Sequence, residues 1–173
     1  MITKAVRIYG KNDLRLDEVQ LPEIGPDGVR IRVVSDSLCM SSYKAAIQGS
    51  AHKRVPEDIA EHPAIIGHEF CGVIEQVGSK WADKYQVGQK FAIQPAIDYR
   101  GTMMTPGYAF EFCGGDSQYA ILMDEVMDHN CLLDYNYMFL MAGDGTPYDI
   151  VYNLVGGSPI FYPIIVVLLF IVY

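Results

Sequence analysis

The sequence lacks any pair of closely spaced cysteines. Its four cysteines lie far apart and form no C-x-x-C motif; they are Cys39, Cys71, Cys113 and Cys131. No secretion signal is visible either, because the first residues alternate like a strand and contain no long apolar core. This spacing argues against a disulfide framework, so a reducing cytoplasm is the expected location.

Basic residues are also scarce, with 13 Lys and Arg against 21 Asp and Glu and a formal net charge of −8. No run of basic residues offsets this excess, so the surface repels phosphate backbones and nucleic acid is not expected as a partner. Hydrophobic residues make up 50% of the chain and charged residues 20%. These proportions indicate a folded globular domain and exclude general disorder.

A dinucleotide-binding motif is missing as well. Such a site needs a strand, the pattern G-x-G-x-x-G and a helix whose N-terminus binds the pyrophosphate. The segment 142–149 has G-x-G without a third glycine and contains Pro147, while 154–161 has two adjacent glycines before Pro159. A whole nucleotide-binding domain does not fit after residue 135, so we expect no NAD or NADP site in this chain.

Alternating apolar residues predict many short strands in the first 135 residues. One short helix is predicted over Ser41–Gly49, with Ser41 or Ser42 as N-cap and Gly49 as terminator. The regular turn signals favour a mainly β fold, a closed or partly open β-barrel with short helices. The predicted strands cover 3–10, 14–21, 29–38, a stretch ending at 77, part of 84–96, and 117–123.

The last segment, 136–173, differs from the rest and is expected to form a separate unit from 1–135. Its final 24 residues, Ile150–Tyr173, contain no charge and end in IIVVLLFIVY. That apolar run is shorter than the roughly 20 residues of a membrane-spanning helix, and Pro163 precedes it. A buried or self-associating β-segment is the preferred interpretation, followed by truncation or a frameshift, with a membrane span last.

A polar pair, His68 and Glu69, lies at the start of a strand in AIIGHEFCGVIEQVG. Cys39 follows another strand and precedes the predicted helix, whose N-terminal dipole favours a thiolate. Zinc binds thiolate, imidazole and sometimes carboxylate, so these residues are candidate ligands, with Glu69 as an exchangeable ligand or a supporting neighbour. Taken alone, a core histidine and a packed cysteine are the commoner interpretation.

GHEFCGVIEQVG resembles the zinc signature of the medium-chain, zinc-dependent alcohol and polyol dehydrogenases. SLCMSSYKA resembles the first-ligand segment of that family, and VGQKFAI resembles its turn into a barrel strand. The resemblance covers about residues 1–134 and is greatest to the branch of L-sorbose-1-phosphate reductases and sorbitol-type dehydrogenases. Trp81 departs from the pattern, since the family usually has a small or branched residue there.

The resemblance implies a GroES-like domain in which Cys39 and His68 bind one catalytic zinc ion beside Glu69. It further implies that Ser41 relays the substrate proton and that Lys44 occupies the position of a relay histidine. The substrate is then a small polyol or sugar phosphate, and the full-length family uses NAD or NADP. The resemblance also implies assembly into homo-oligomers.

Two family features have no counterpart in the sequence. Between residues 91 and 121 only Cys113 is present, so a second, structural zinc is not expected, and Cys71 and Cys113 are interpreted as core thiols. The third ligand of the catalytic zinc has no clear match, and Asp144 is the nearest acidic residue. The expectation is an incomplete dehydrogenase domain that is inactive alone; the alternative is a non-catalytic module that associates through its apolar C-terminus.

Lys44 and the run His52-Lys53-Arg54 allow two interpretations. Charged loop residues are usually solvated, and Lys53 and Arg54 are more simply explained in that way. The alternative is that these side chains bind the phosphate of a substrate.

Overall fold

Short strands and a few short helices make up the part of the chain described by the computed structural model, residues 1–37 and 39–134. The strands are β1 (Ile2–Gly10), β2 (Asp13–Gln20), β3 (Val29–Asp36), β4 (Ala64–Ile65), β5 (Phe70–Val77), β6 (Lys90–Ile93), β7 (Ile97–Tyr99), β8 (Thr102–Met104), β9 (Tyr119–Leu122) and β10 (Leu132–Asp134). The helices are α1 (Met40–Gln48), α2 (Pro106–Ala109) and α3 (Asp124–Met127), with 3₁₀ turns at Gly49–Ala51 and Ser79–Trp81.

These strands form three sheets, with the orders β2-β1-β4, β10-β6-β5-β3-β9 and β7-β8. The mainly β, partly open fold is confirmed, whereas a fully closed barrel is wrong for the described residues. Each sheet ends in edge strands, and an isolated bridge between Ala5 and Ser117 connects the first sheet to the chain before β9.

The core follows the alternation of the central strands. Val29 and Ile31 of β3 and Phe70, Gly72 and Ile74 of β5 are all buried, while the alternate residues Arg30, Cys71 and Val73 are partly exposed. Phe70 meets Phe91 of β6 edge to face, with ring centroids 6.3 Å apart. A second cluster packs α1 against β1 and the segment before β5; its buried members are Ile8, Ala45, Ala46, Val55, Ile59, Ala64, Ile66 and Tyr108.

Helix α1 begins one residue earlier than predicted, and its N-cap is Cys39. The predicted caps Ser41 and Ser42 are wrong, because the Cys39 sulfur accepts a hydrogen bond from the Ser41 backbone N–H at 3.4 Å. The terminator Gly49 is confirmed, with a φ of 56° that favours glycine. A side chain there would also place a Cβ 2.4 Å from the backbone nitrogen of Lys11.

Among residues 1–37 and 39–134, no helix has the length and hydropathy needed to cross a membrane. The predictions for the apolar segment Ile150–Tyr173 and for Asp144 lie outside the described residues. The proposed division at residue 135 stays a prediction.

The central sheet predicts a matched pair of stability effects. Leu122 of β9 is fully buried, whereas Leu16 of β2 is 73% exposed. Leu122→Ala should lower the free energy of unfolding by about 2–5 kcal/mol, because it removes buried methyl groups and leaves a cavity. Leu16→Ala should change it by about 0.5 kcal/mol or less. Urea unfolding measures both, and equal losses for the two variants would contradict this assignment of the core.

Candidate metal centre

The antiparallel pairing of β3 with β5 determines where the candidate ligands lie. Its register runs from Val29 opposite Val77 to Asp36 opposite Phe70. One further hydrogen bond, from the Ser37 N–H to the Glu69 carbonyl at 3.3 Å, extends the pairing beyond the strands. The residues that follow β3 therefore lie beside those that precede β5.

Cys39, His68 and Glu69 come together at this end of the sheet. One ligand atom from each side chain, a sulfur, an imidazole nitrogen and a carboxylate oxygen, lies within 4.8 Å of the other two. His68 is 5% exposed and Glu69 9%, while Cys39 is partly exposed. This donor set suits zinc, and its partly exposed side allows a ligand from solution to approach.

The start of α1 positions Cys39. Since its sulfur already accepts the Ser41 N–H, the thiol is held at the N-terminus of the helix, where the helix dipole favours negative charge. Ser41 is partly exposed in the first turn, and Lys44 is exposed one turn further on. The structure thus places Ser41 directly beside Cys39, whereas Lys44 extends from the helix surface.

Hydrogen bonding determines the orientation of the His68 imidazole, and burial determines its protonation state. Its Nδ1 lies 3.0 Å from the Ser42 hydroxyl, which leaves Nε2 facing Glu69, 3.8 Å from Oε1. Burial, and secondarily the positive charge of Arg54, lower the pKa of His68 to about 4. The imidazole is therefore neutral near pH 7, so its contact with Glu69 is not an ion pair. A neutral imidazole is the form that binds metals.

The Glu69 carboxyl group is buried, and neighbouring side chains donate hydrogen bonds to it. The Ser37 hydroxyl donates to Oε2 at 2.5 Å. Burial raises the pKa of Glu69, and hydrogen bonds from Ser37 and Cys39 counter this rise by favouring the carboxylate. A metal ion in the cluster would stabilise the ionised form further.

The Asp36 side chain forms hydrogen bonds to the backbone on both sides of the site. Its Oδ1 accepts the N–H groups of Ser37 and Glu69 at 2.7 and 3.3 Å. Burial, followed by the nearby charge of Asp116, raises the pKa of Asp36 to about 8. Gly67, at a φ of 98°, is required here, because a Cβ would lie 1.9 Å from Oδ2 of Asp36.

Sequence reasoning identified the three clustered side chains and missed their supports. Ser42 follows Cys39 by three residues, one helical turn, and this spacing is the signal that points to it. Tyr108 packs edge-on against His68 with ring centroids 5.4 Å apart, and it lies in a segment without a clear pattern. Asp36 is visible only as a polar residue at the end of a strand.

Residues 25–128 match the family described as the alcohol dehydrogenase GroES-like domain. The chain belongs to this family. The resemblance to zinc-dependent alcohol and polyol dehydrogenases is thereby confirmed.

Similar proteins support the same assignment. The chain is 48% identical over 133 residues to an L-sorbose 1-phosphate reductase of Klebsiella pneumoniae, a match that covers 77% of this chain and 32% of the relative. It is 42% identical over 134 residues to a mannitol-1-phosphate 5-dehydrogenase of Aliivibrio fischeri, covering 78% and 31%. Its fold matches the crystal structure of 2R,3R-butanediol dehydrogenase from Bacillus subtilis with a TM-score of 0.61 and 25% identity, covering 76% and 40%. The chain spans about a third of the length of these curated relatives.

The raised pKa of Asp36 predicts a pH-dependent stability. The folded protein keeps a proton that the unfolded chain releases between the ordinary pKa of 3.8 and about 8. The free energy of unfolding should therefore fall as the pH rises through this window, by up to about 1.4 kcal/mol per pH unit. Asparagine does not titrate, so the stability of Asp36→Asn relative to the unmodified protein should increase up to about pH 8 and then level off.

Urea unfolding at several pH values measures this difference. Asp98→Asn, at an exposed position of β7, is the matched control and should keep the pH dependence of the unmodified protein. An Asp36→Asn curve parallel to that of the control would contradict the assignment of a buried, protonated Asp36.

Proposed function

We propose that this GroES-like domain is the zinc-binding catalytic part of an NAD- or NADP-dependent dehydrogenase that acts on the CH–OH group of a polyol or sugar phosphate. The observation that carries the proposal is the cluster of Cys39, His68 and Glu69 within 4.8 Å in a domain of this family. The L-sorbose 1-phosphate reductase and mannitol-1-phosphate 5-dehydrogenase relatives support the substrate class.

The clustered residues would bind the metal ion, and the ion would supply the chemistry. Bound zinc would act as a Lewis acid that favours the alkoxide over the alcohol. Cys39 and His68 would hold the ion, and Glu69 would complete the set or exchange with the substrate oxygen. Because His68 is already neutral, it need not lose a proton to bind the metal.

Ser41 is assigned the first step of proton transfer. It lies in the first turn of α1, next to Cys39 and partly exposed, so its hydroxyl can accept the proton of the substrate alcohol and pass another outward. Lys44 lies one turn further along the helix and is exposed. The hydride acceptor belongs to the nicotinamide cofactor.

Several features of the proposal rest on the sequence alone. They are the need for a separate nucleotide-binding part, inactivity of this chain by itself, a cytoplasmic location and assembly into homo-oligomers. The alternative function, association through the apolar C-terminus, concerns residues outside the described part of the chain. These expectations stay predictions.

Zinc binding tests the proposal with two matched cysteine variants. Cys39→Ser should weaken zinc binding by more than about 100-fold, the upper end of the loss that follows removal of a supporting residue around a metal. Cys71→Ser should have no effect, because the Cys71 thiol lies in β5 and contacts the Ser35 hydroxyl at 3.0 Å, outside the cluster. Competition with a chromophoric chelator measures both affinities. Equal zinc affinity of the two variants would remove the metal assignment.

The Ser42 contact predicts a second effect on the same affinity. Ser42→Ala leaves Nδ1 of His68 without its hydroxyl partner and frees the ring to rotate, so zinc affinity should fall by about 10- to 100-fold. Ser41→Ala is the matched control, since the Ser41 contact to Cys39 uses only the backbone. The same chelator competition applies. A larger loss for Ser41→Ala than for Ser42→Ala would contradict the positioning role of Ser42.

A further inference from the structure

Beside the metal centre lies a basic cluster, defined as Lys44, Lys53 and Arg54 around His52. We propose that it binds the phosphate group of a phosphorylated polyol whose reacting alcohol occupies the metal centre. This inference deepens the proposed function and rests on it, because the cluster is a substrate subsite only if the neighbouring centre holds the reacting alcohol.

One aromatic ring links the two sites. Tyr108 meets His52 edge-on with ring centroids 5.6 Å apart, and it meets His68 edge-on at 5.4 Å. Arg54 is also close enough for its charge to contribute, after burial, to the lowered pKa of His68. His52 of the cluster and His68 of the metal centre therefore both contact the Tyr108 ring. The carbon chain of a small polyol is long enough to reach from one site to the other.

The cations of the cluster converge without a carboxylate partner. Lys53 lies between His52 and Arg54 in the sequence, and burial, followed by the charges of Arg54, Lys53 and Lys44, lowers the pKa of His52. In the described part of the chain, no Asp or Glu forms an ion pair with any of them. By contrast, the following basic residues are paired with acidic ones: Arg7, Arg15, Arg32 and Lys80. Three cations that follow one helix and one loop beside the metal centre, with no carboxylate paired to them, suit an anionic ligand.

Arg54 is held in place for such a ligand. One terminal nitrogen donates to the hydroxyl of Thr105, which is fully buried, at 3.3 Å. Nε of Arg54 is buried and has no hydrogen-bond partner among the described residues. A planar guanidinium with free donors suits the oxygens of a phosphate, which accept two parallel N–H bonds.

Two neighbouring groups offer further donors. The backbone N–H of Arg54 donates to Nδ1 of His52 at 3.3 Å, so the proton of the neutral imidazole is on Nε2. The Tyr108 hydroxyl is buried and has no partner within the described residues, although its ring is fully packed. Unpaired buried donors are rare in folded proteins, and a bound phosphate would supply acceptors for Arg54 Nε and the Tyr108 hydroxyl.

Calorimetric titration of the full chain, stripped of metal by a chelator, tests the phosphate subsite. The probes are mannitol 1-phosphate, mannitol and inorganic phosphate. Mannitol 1-phosphate and inorganic phosphate should bind, and mannitol should bind much more weakly. Arg54→Gln and Lys44→Gln should each weaken phosphate binding by about tenfold or more, the factor that corresponds to one charged hydrogen bond. Lys44 is exposed, so its replacement does not threaten folding.

Lys80→Gln is the control for net charge. Lys80 pairs with Asp124 and Asp128 and lies just after β5, at the opposite end of that strand from His68. Its replacement should leave phosphate binding unchanged. The proposal is overturned if mannitol 1-phosphate binds no more tightly than mannitol, or if Lys80→Gln weakens binding as much as Arg54→Gln.

Two of these variants, Cys39→Ser and Arg54→Gln, separate this proposal from the metal assignment. Cys39→Ser should lose zinc binding and keep phosphate binding in the metal-free chain, whereas Arg54→Gln should do the reverse. If zinc binds as proposed and the phosphate probes fail, the subsite is wrong and the proposed function stands. If phosphate binds and zinc does not, the metal centre is wrong.

Discussion

The pairing of β3 with β5 is the constraint on which the rest of the site depends. Cys39 and His68 are far apart in the sequence, yet each lies a few residues beyond the same end of one antiparallel ladder. A slip of one residue would turn the alternating side chains to the other face and bury the charged residues of these strands. Burial of Val29, Ile31, Phe70 and Ile74 therefore fixes the register that brings the candidate ligands together.

Burial also determines the chemistry of the clustered groups. It keeps His68 neutral and Asp36 protonated, and it raises the pKa of Glu69. The hydrogen bonds to Glu69 and His68 come from Ser37 and Ser42, which lie within three residues of Cys39 in the sequence. A site built in this way has its donor atoms oriented before any ion arrives, which lowers the conformational cost of binding.

The sequence predicts the members of the site better than its surroundings. Cys39, His68 and Glu69 are recognisable because each has a metal-binding side chain at a strand end, within segments that resemble a known family. Tyr108 is not recognisable, because its role comes from contacts with two histidines that are distant in the sequence. The same holds for Asp36, whose raised pKa results from tertiary burial.

The errors of sequence reasoning have physical causes, one local and one long-range. A serine is the expected N-cap because hydroxyls are common caps, but the Cys39 sulfur accepts the N–H of Ser41 and Cys39 is the N-cap. The prediction of a closed barrel is wrong because the alternating pattern of a strand shows which residues are buried. It does not show which edge strands pair with each other. Sheet closure depends on long-range pairing, and here the described strands divide into three sheets.

The most direct test of the central claim, that Cys39, His68 and Glu69 bind one metal ion, is X-ray absorption at the zinc edge on the zinc-loaded chain. The account predicts one sulfur ligand at about 2.3 Å and nitrogen and oxygen ligands at about 2.0–2.2 Å, with the sulfur lost in Cys39→Ser. A shell of nitrogen and oxygen alone in the unmodified chain, or a sulfur that persists in Cys39→Ser, would contradict it.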